Sequence, residues 1–206
     1  MEYSFTKTEL CKPSLTSLQN TSSVKFVRSE RQQQILEVAK RLFLHHGFQK
    51  VTLGDIASEA GVSRPTVYQA FANKEEIFTA LIEIYHEDAL ERIAQVRHSR
   101  QPTRAKIEAA IEIWVIEPFE MLLASPGAKE LLDCTFGFAA KATDAGYAAF
   151  EDEVVAILDD GDFSGRLPTR DLAHLMVVSM RGFKGQVEEV EALRRLIGQL
   201  LDLSLE

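Results

Sequence analysis

Apolar residues recur at helical spacing from residue 35 onward, and no stretch alternates apolar and polar positions as a half-buried strand would. Ile35, Val38, Ala39, Leu42 and Phe43 fall three or four apart and predict a first helix. Ser29 with Gln32 gives it a capping-box start, and Gly47 stands where a left-handed residue past its end is wanted. Thr52 with Asp55 repeats that logic ahead of Leu53, Ile56, Ala57 and Ala60, a second and shorter helix. Gly61-Val62-Ser63 then supplies a residue tolerant of positive φ, an apolar plug and a cap. Pro65 sits just inside a third helix, expected from about Arg64 to Phe71. Asn73 caps a fourth, with Glu76 at the reciprocal position and Ile77, Phe78, Leu81, Tyr85 and Leu90 along it. The rest stays helical, with loops expected at 99–102, 125–127, 143–146 and 159–168. The expected fold is all-α, about nine helices, four before residue 98 and five after.

Composition narrows the class. The 206 residues suit one large domain or two small ones. With 46% hydrophobic and 26% charged residues, a disordered chain, a collagen and a coiled-coil rod are excluded. No apolar run approaches the ~18 residues of a membrane span, and no apolar leader is readable, so a cytoplasmic protein without a membrane partner is expected. Cys11 and Cys134 form neither a metal spacing nor a disulfide framework, and Cys134 reads as a packed thiol. The net charge of −8 speaks against nucleic acid until it is divided. Residues 1–78 carry +2 and residues 79–206 carry −10. Residues 1–28, with nine Ser or Thr and no apolar face, read as a flexible, weakly basic tail.

Two short helices joined by a Gly-containing three-residue turn have the form of a helix-turn-helix. The exposed side of the third helix offers Arg64, Thr66, Tyr68 and Gln69, while Val62, Val67 and Phe71 face inward. A helix so presented enters the major groove, where Arg pairs with guanine and Gln with adenine. Thr, Tyr and Lys side chains and a helix N-terminus capped by a residue such as Ser63 hold phosphates. On pattern alone, an ordinary helix pair with polar residues outside remains an open reading.

The run from Arg31 to Phe78 resembles the TetR/AcrR repressors. The likeness is carried by Ile35-Leu36, Ala39, Leu42-Phe43, Gly47-Phe48, Thr52-Leu53, Asp55-Ile56-Ala57, Ala60-Gly61-Val62-Ser63 and Thr66-Val67-Tyr68. Phe71, Asn73-Lys74-Glu75-Glu76 and Phe78 extend it. The resemblance implies a DNA-binding domain at 29–89 with its helix-turn-helix at 52–71, and a ligand-binding and dimerisation domain at 90–206. Thr52, Arg64, Thr66, Tyr68 and Lys74 match the family's DNA-contacting positions. Ala70 departs from them, standing where the family often has His, so a phosphate contact is lost there. The implied function is that of a ligand-responsive regulator, a repressor binding a palindromic double-stranded operator as a homodimer. Neither an enzyme nor a cofactor is expected: G-x-x-x-x-G-K-[ST], H-E-x-x-H and G-x-S-x-G are all missing from the sequence. The other reading is a DNA-binding architectural or partner-recruiting protein without a small effector. Lys25 and Arg28 are expected to add phosphate or minor-groove contacts, unless the tail is simply solvated.

The second half suggests where an effector would sit. From Ala109 to Ile116 only Glu112 is charged, so this helix should be central. Pro118 should kink it at Trp114, whose carbonyl its ring crowds. Trp114, Phe119 and Met121 make a candidate wall, with Phe136, Phe138, Tyr147, Phe150, Met176 and Met180 opposite and Glu117, His174 or Arg181 as polar anchors. A largely apolar ligand is implied, although each of these side chains also suits an ordinary core. The last two helices carry stripes at Leu172, Leu175, Met176, Ser179 and Phe183, and at Val190, Leu193, Ile197, Leu200 and Ser204, the latter widened by Leu196, Leu201 and Leu203. The resemblance implies that they pair as a four-helix bundle between protomers. No metal is expected. His45-His46 diverge around their helix, His86-Glu87-Asp88 reads as a solvated face, and residues 160–171 imitate a calcium loop but lack its closing Glu.

Overall fold

Local caps decide where the first four helices start. The computed structural model describes residues 28–127, 137–161 and 165–205. Ser29 accepts from the Gln32 amide while the Gln32 side chain accepts from the Ser29 amide at 3.0 Å, which opens α1 (Glu30–His46). Gly47 follows with φ 85° and ψ 155°. The positive φ is as expected, but the extended ψ is a glycine-only conformation and not the left-handed helical one. Thr52 and Asp55 form the second reciprocal box at α2 (Leu53–Glu59). Ser63 caps α3 (Arg64–Ala70), with Pro65 in its first turn. Asn73 accepts from the Glu76 amide to open α4 (Lys74–Arg97). The Glu76 carboxylate, however, accepts from the Ala72 amide at 2.6 Å rather than from Asn73.

Two hydrophobic cores share α4. Its Ile77 and Ala80 join Ile35, Phe43, Phe48, Ile56, Val67 and Phe71 in the first. Its Ala89 and Ile93 join Ile107, Trp114, Phe150, Val154, Met176, Leu193 and Ile197 in the second. Ile84 packs on the first core and Tyr85 on the second, so the handover falls a little before the boundary expected at 89.

The central helix α5 starts at Thr103–Ile111, widens to a π turn over Glu112–Ile116, and resumes as α-helix over Glu117–Leu123. The Glu117 amide donates to Glu112 O, five residues back. Pro118 explains the widening. It has no N–H for the Trp114 carbonyl and crowds it, and a π turn relieves both problems where a kink was expected. Three further helices follow: α6 (Ala140–Asp159), α7 (Thr169–Lys184) and α8 (Val190–Leu205). That makes eight helices and no strand among the described residues, against about nine expected.

Two expectations need correction. Residues 143–146 are no loop but lie inside α6, because Gly146 is buried where α6 meets α4. A Cβ there would collide with the His86 ring. The smallness of the residue serves packing, not a break. The stripe through Leu193, Ile197 and Leu201 is buried within this chain against Leu172, Met176 and Met180 of α7. The surface instead leaves Leu175 and Val178 of α7 about half exposed, and Leu203 of α8 87% exposed. Cys11, Lys25, Cys134, Phe136 and residues 162–164 lie outside the described residues.

Gly146→Ala should destabilise the protein by ~1–3 kcal/mol through overpacking against His86. Urea denaturation checks this, with a lowered midpoint expected at unchanged slope.

Candidate functional site

The turn between α2 and α3 is built to hold α3 outward. Val62 N–H donates to Ala57 O at 3.0 Å and Gly61 N–H to Ser58 O at 3.2 Å, the paired bonds of a Schellman closure, with Gly61 at φ 63°. Gln34 of α1 donates to Ala60 O at 2.9 Å and pins the turn to the core. Val67 is fully buried, so the opposite side of α3 faces solvent.

On that side the structure gathers most of the expected contact residues. Arg64, Tyr68 and Gln69 are exposed, and Tyr68 is 59% exposed. Thr66 is half-buried and its hydroxyl lies 2.8 Å from that of Ser63. The Arg64 guanidinium lies across Gly54, where a Cβ would press on it, so α2 and α3 present one surface. Thr52 donates to the Asp55 carboxylate at 2.7 Å. This hydrogen bond, then that of the Thr52 amide, holds the Asp55 carboxyl below its ordinary range, with the Arg64 charge adding to the effect.

Lys74 differs from expectation in its partners. Its ammonium donates to Phe48 O, Gln49 O and Val51 O at 2.9, 3.1 and 3.2 Å. Arg28 pairs with Glu83 of α4 at 3.5 Å.

In the second core Trp114 is enclosed by rings. It lies parallel to Phe150 at 5.0 Å, stacks on His86 at 4.7 Å and meets Tyr147 edge-on at 5.8 Å. Phe119, Met176 and Met180 are buried in the same cluster, while Met121 is half-buried. Arg181 lies over the Tyr147 ring at 4.4 Å and Lys184 donates to its hydroxyl at 3.3 Å. All three expected anchors have charged partners already, Arg181 with Asp144 at 3.0 Å. Glu117 accepts two bonds from Arg92 of α4, at 2.7 and 2.6 Å, and exposed His174 pairs with Glu151 at 3.0 Å. Phe138 stacks on Phe48 of the first core at 5.3 Å rather than on the Trp114 cluster.

Three residues overlooked in the sequence, Tyr85, Arg194 and His86, brace the π turn or its tryptophan. Tyr85 donates to Ile113 O at 3.1 Å, and Arg194 of α8 pairs with both Glu112 and Glu120. His86 is half-buried rather than part of a solvated face, and Lys184 lies near enough for its charge to bear on the imidazole. Burial first, and then that charge, push the His86 pKa from 6.5 down to about 4. The pattern of α4 gave no hint of this, because the cause is Gly146 on a distant helix. Among the described residues no group of three His, Cys, Asp or Glu could hold a metal ion. No helix among them is long and apolar enough to cross a membrane.

A capped helix pair with a Schellman turn and an outward third helix, mounted on a second helical core, is the architecture of a helix-turn-helix protein. Residues 35–81 match the family of bacterial regulatory proteins described as the tetR family, so this segment is similar to that family's N-terminal domain. Members of that family are DNA-binding regulators, not enzymes. The chain is 31% identical over 85 residues to the HTH-type transcriptional activator FasR of Mycolicibacterium smegmatis, a match spanning 41% of this chain and 39% of FasR. It thus spans well under half the length of that curated relative. Likeness of fold reaches further. A transcriptional regulator from Cytophaga hutchinsonii superposes with a TM-score of 0.73 at 22% identity, covering 86% of this chain and 97% of that one. SmeT, the repressor of the Stenotrophomonas maltophilia multidrug efflux pump SmeDEF, superposes in its complex with triclosan with a TM-score of 0.61 at 19% identity, covering 86% and 93%.

Between pH 4 and 6.5 the unfolded chain protonates His86 while the folded chain resists it. Stability therefore rises with pH across that window and is diminished below it. Compared by urea denaturation from pH 4 to 7.5, His86→Phe should show a shallower acid loss than the parent.

Proposed function

We propose that the chain is a ligand-responsive, cytoplasmic transcriptional regulator, a repressor that binds a palindromic double-stranded operator as a homodimer and leaves it when a small, largely apolar effector binds. The observation that carries this reading is the outward face of α3, where Arg64, Tyr68 and Gln69 stand exposed while Val67 anchors the helix behind them. Arg64 is the base reader of the proposal and Tyr68 a phosphate contact, with Thr52, Ser63 and Thr66 at the N-termini of α2 and α3.

The homodimer reading is supported by the half-exposed Leu175 and Val178 of α7 and by Leu203 of α8, apolar side chains that this chain's own core leaves uncovered. Pairing of these faces would set two α3 helices apart, and ~34 Å is the spacing that successive major grooves require. The effector site of the proposal is the Trp114 cluster, walled by Phe119, Phe150, Met176 and Met180 with Tyr147 and Arg181 at its polar edge. The triclosan complex of SmeT supports it only as a case of this fold holding a small molecule.

DNA selected from a random pool by the full chain tests the reading. Arg64→Ala should cost on the order of 1–3 kcal/mol on the selected duplex and relax preference at one base position. Equal affinity and preference in parent and variant would sink the assignment. For the dimer, Leu175→Glu with Val178→Glu should give a folded monomer by sedimentation. A dimer of unchanged stability would place the interface elsewhere.

A further inference from the structure

An ammonium has three protons to donate, and three carbonyls of the segment between α1 and α2 receive those of Lys74. The last of them, Val51 O, belongs to the residue before Thr52, the cap of α2. The same ammonium lies 4.5 Å from the centroid of the Phe48 ring. Phe48 in turn meets Phe43 at 5.3 Å, Phe78 at 5.2 Å and Phe138 at 5.3 Å.

Phe138 comes from the other half of the molecule. It stands just ahead of α6, the helix that brings Gly146 against His86 and carries Tyr147 and Phe150 to Trp114. A second tie lies beside it. Gly127 N–H donates to Leu44 O at 2.9 Å, and a Cβ on Gly127 would collide with the Gly47 backbone. Two residues beyond α4, Gly127 and Phe138, thus touch the end of α1 and the segment entering α2 directly, apart from the connection through α4.

We propose that Lys74 serves DNA recognition as a positioning residue, fixing the segment 48–51 that leads into α2, and that Phe138, through the Phe48 ring, makes this fixture answer to the C-terminal half. The proposal rests on the DNA-binding reading above. It gives Lys74 a different task from a phosphate contact, since both tasks would claim the same protons. Displacement of α6 moves Phe138, the Phe48 ring loses its stacking contact with Phe138, and the carbonyls that hold Lys74 lose their register. Thr52 and the start of α2 then shift relative to α3.

Full-length Lys74→Met and Phe138→Leu test this, with Lys74→Arg as the conservative variant. The DNA probe is the duplex that the parent selects from a random pool. Without DNA, Lys74→Met should speed amide exchange over residues 49–55 on the order of tenfold. Phe138→Leu should speed exchange at the same amides, although it lies on the far side of Phe48, and Lys74→Arg should restore much of the protection. With DNA, Lys74→Met should weaken binding while the dependence of log K on log salt keeps its slope. A slope reduced by about 0.9, with exchange unchanged, would make Lys74 a phosphate ligand and overturn the proposal. Unchanged exchange over 49–55 in Phe138→Leu would overturn the link to the C-terminal half. If the parent selects no DNA, the DNA-binding reading fails and the positioning role fails with it, while the exchange arms still decide whether Phe138 and Lys74 are linked.

Discussion

One 24-residue helix belongs to two hydrophobic cores, and the rest of the structure depends on that sharing. Ile77 and Ala80 of α4 are locked into the first core, and Ala89 and Ile93 into the second. Close-packed cores do not slide continuously, because each side chain sits among neighbours that leave no room for small adjustments. A rearrangement around Ala89 and Ile93 therefore reaches Lys74 as a movement of the whole helix. Since α3 leads into α4 through Phe71 and the Asn73 cap, the outward face of α3 is set by how α4 lies.

The second core holds α4 by unusually specific means. Pro118 forces a π turn in α5, and the three partners bracing that turn are Tyr85 and Arg92 of α4 and Arg194 of α8. His86 adds a fourth tie by filling the space between Trp114 and the bare backbone of Gly146. A π turn is a local departure from the cheaper α-helical pattern, so it persists only where its surroundings hold it. Any molecule entering beside Trp114 meets side chains that α4 itself contributes. Its binding would act on α4 only to the extent that it favours one arrangement of these ties over another.

Much of the first core was legible because its signals are local. Ser29 with Gln32, Thr52 with Asp55 and Gly61-Val62-Ser63 each state a helix boundary within four residues, and the structure forms each as written. The candidate DNA face followed from the same short pattern. What failed depended on neighbours distant in sequence. Gly146 reads as a helix breaker until His86 is seen against it. The sequence places Lys74 at a DNA-contacting position of the family but gives no hint of the three carbonyls from residues 48–51 that close around it. On α8, a stripe of period 3.6 shows that one side is apolar but not whether this chain or another covers it. Leu193, Ile197 and Leu201 are buried by this chain, while Leu203 is left outside. Pro118 gave the position of the disturbance in α5, but the partners that brace the resulting π turn, Tyr85 of α4 and Arg194 of α8, are distant in sequence.

The claim that α4 makes the two cores one mechanical unit is tested most directly by native-state hydrogen exchange along Lys74–Arg97 at increasing urea. If the account holds, amides on both sides of Ile84 and Tyr85 merge into one opening with a single urea dependence, the signature of a shared cooperative unit. If instead the amides up to Ile84 open at lower urea with a smaller slope, while those from Tyr85 onward stay protected, the cores are independent and α4 transmits nothing between them.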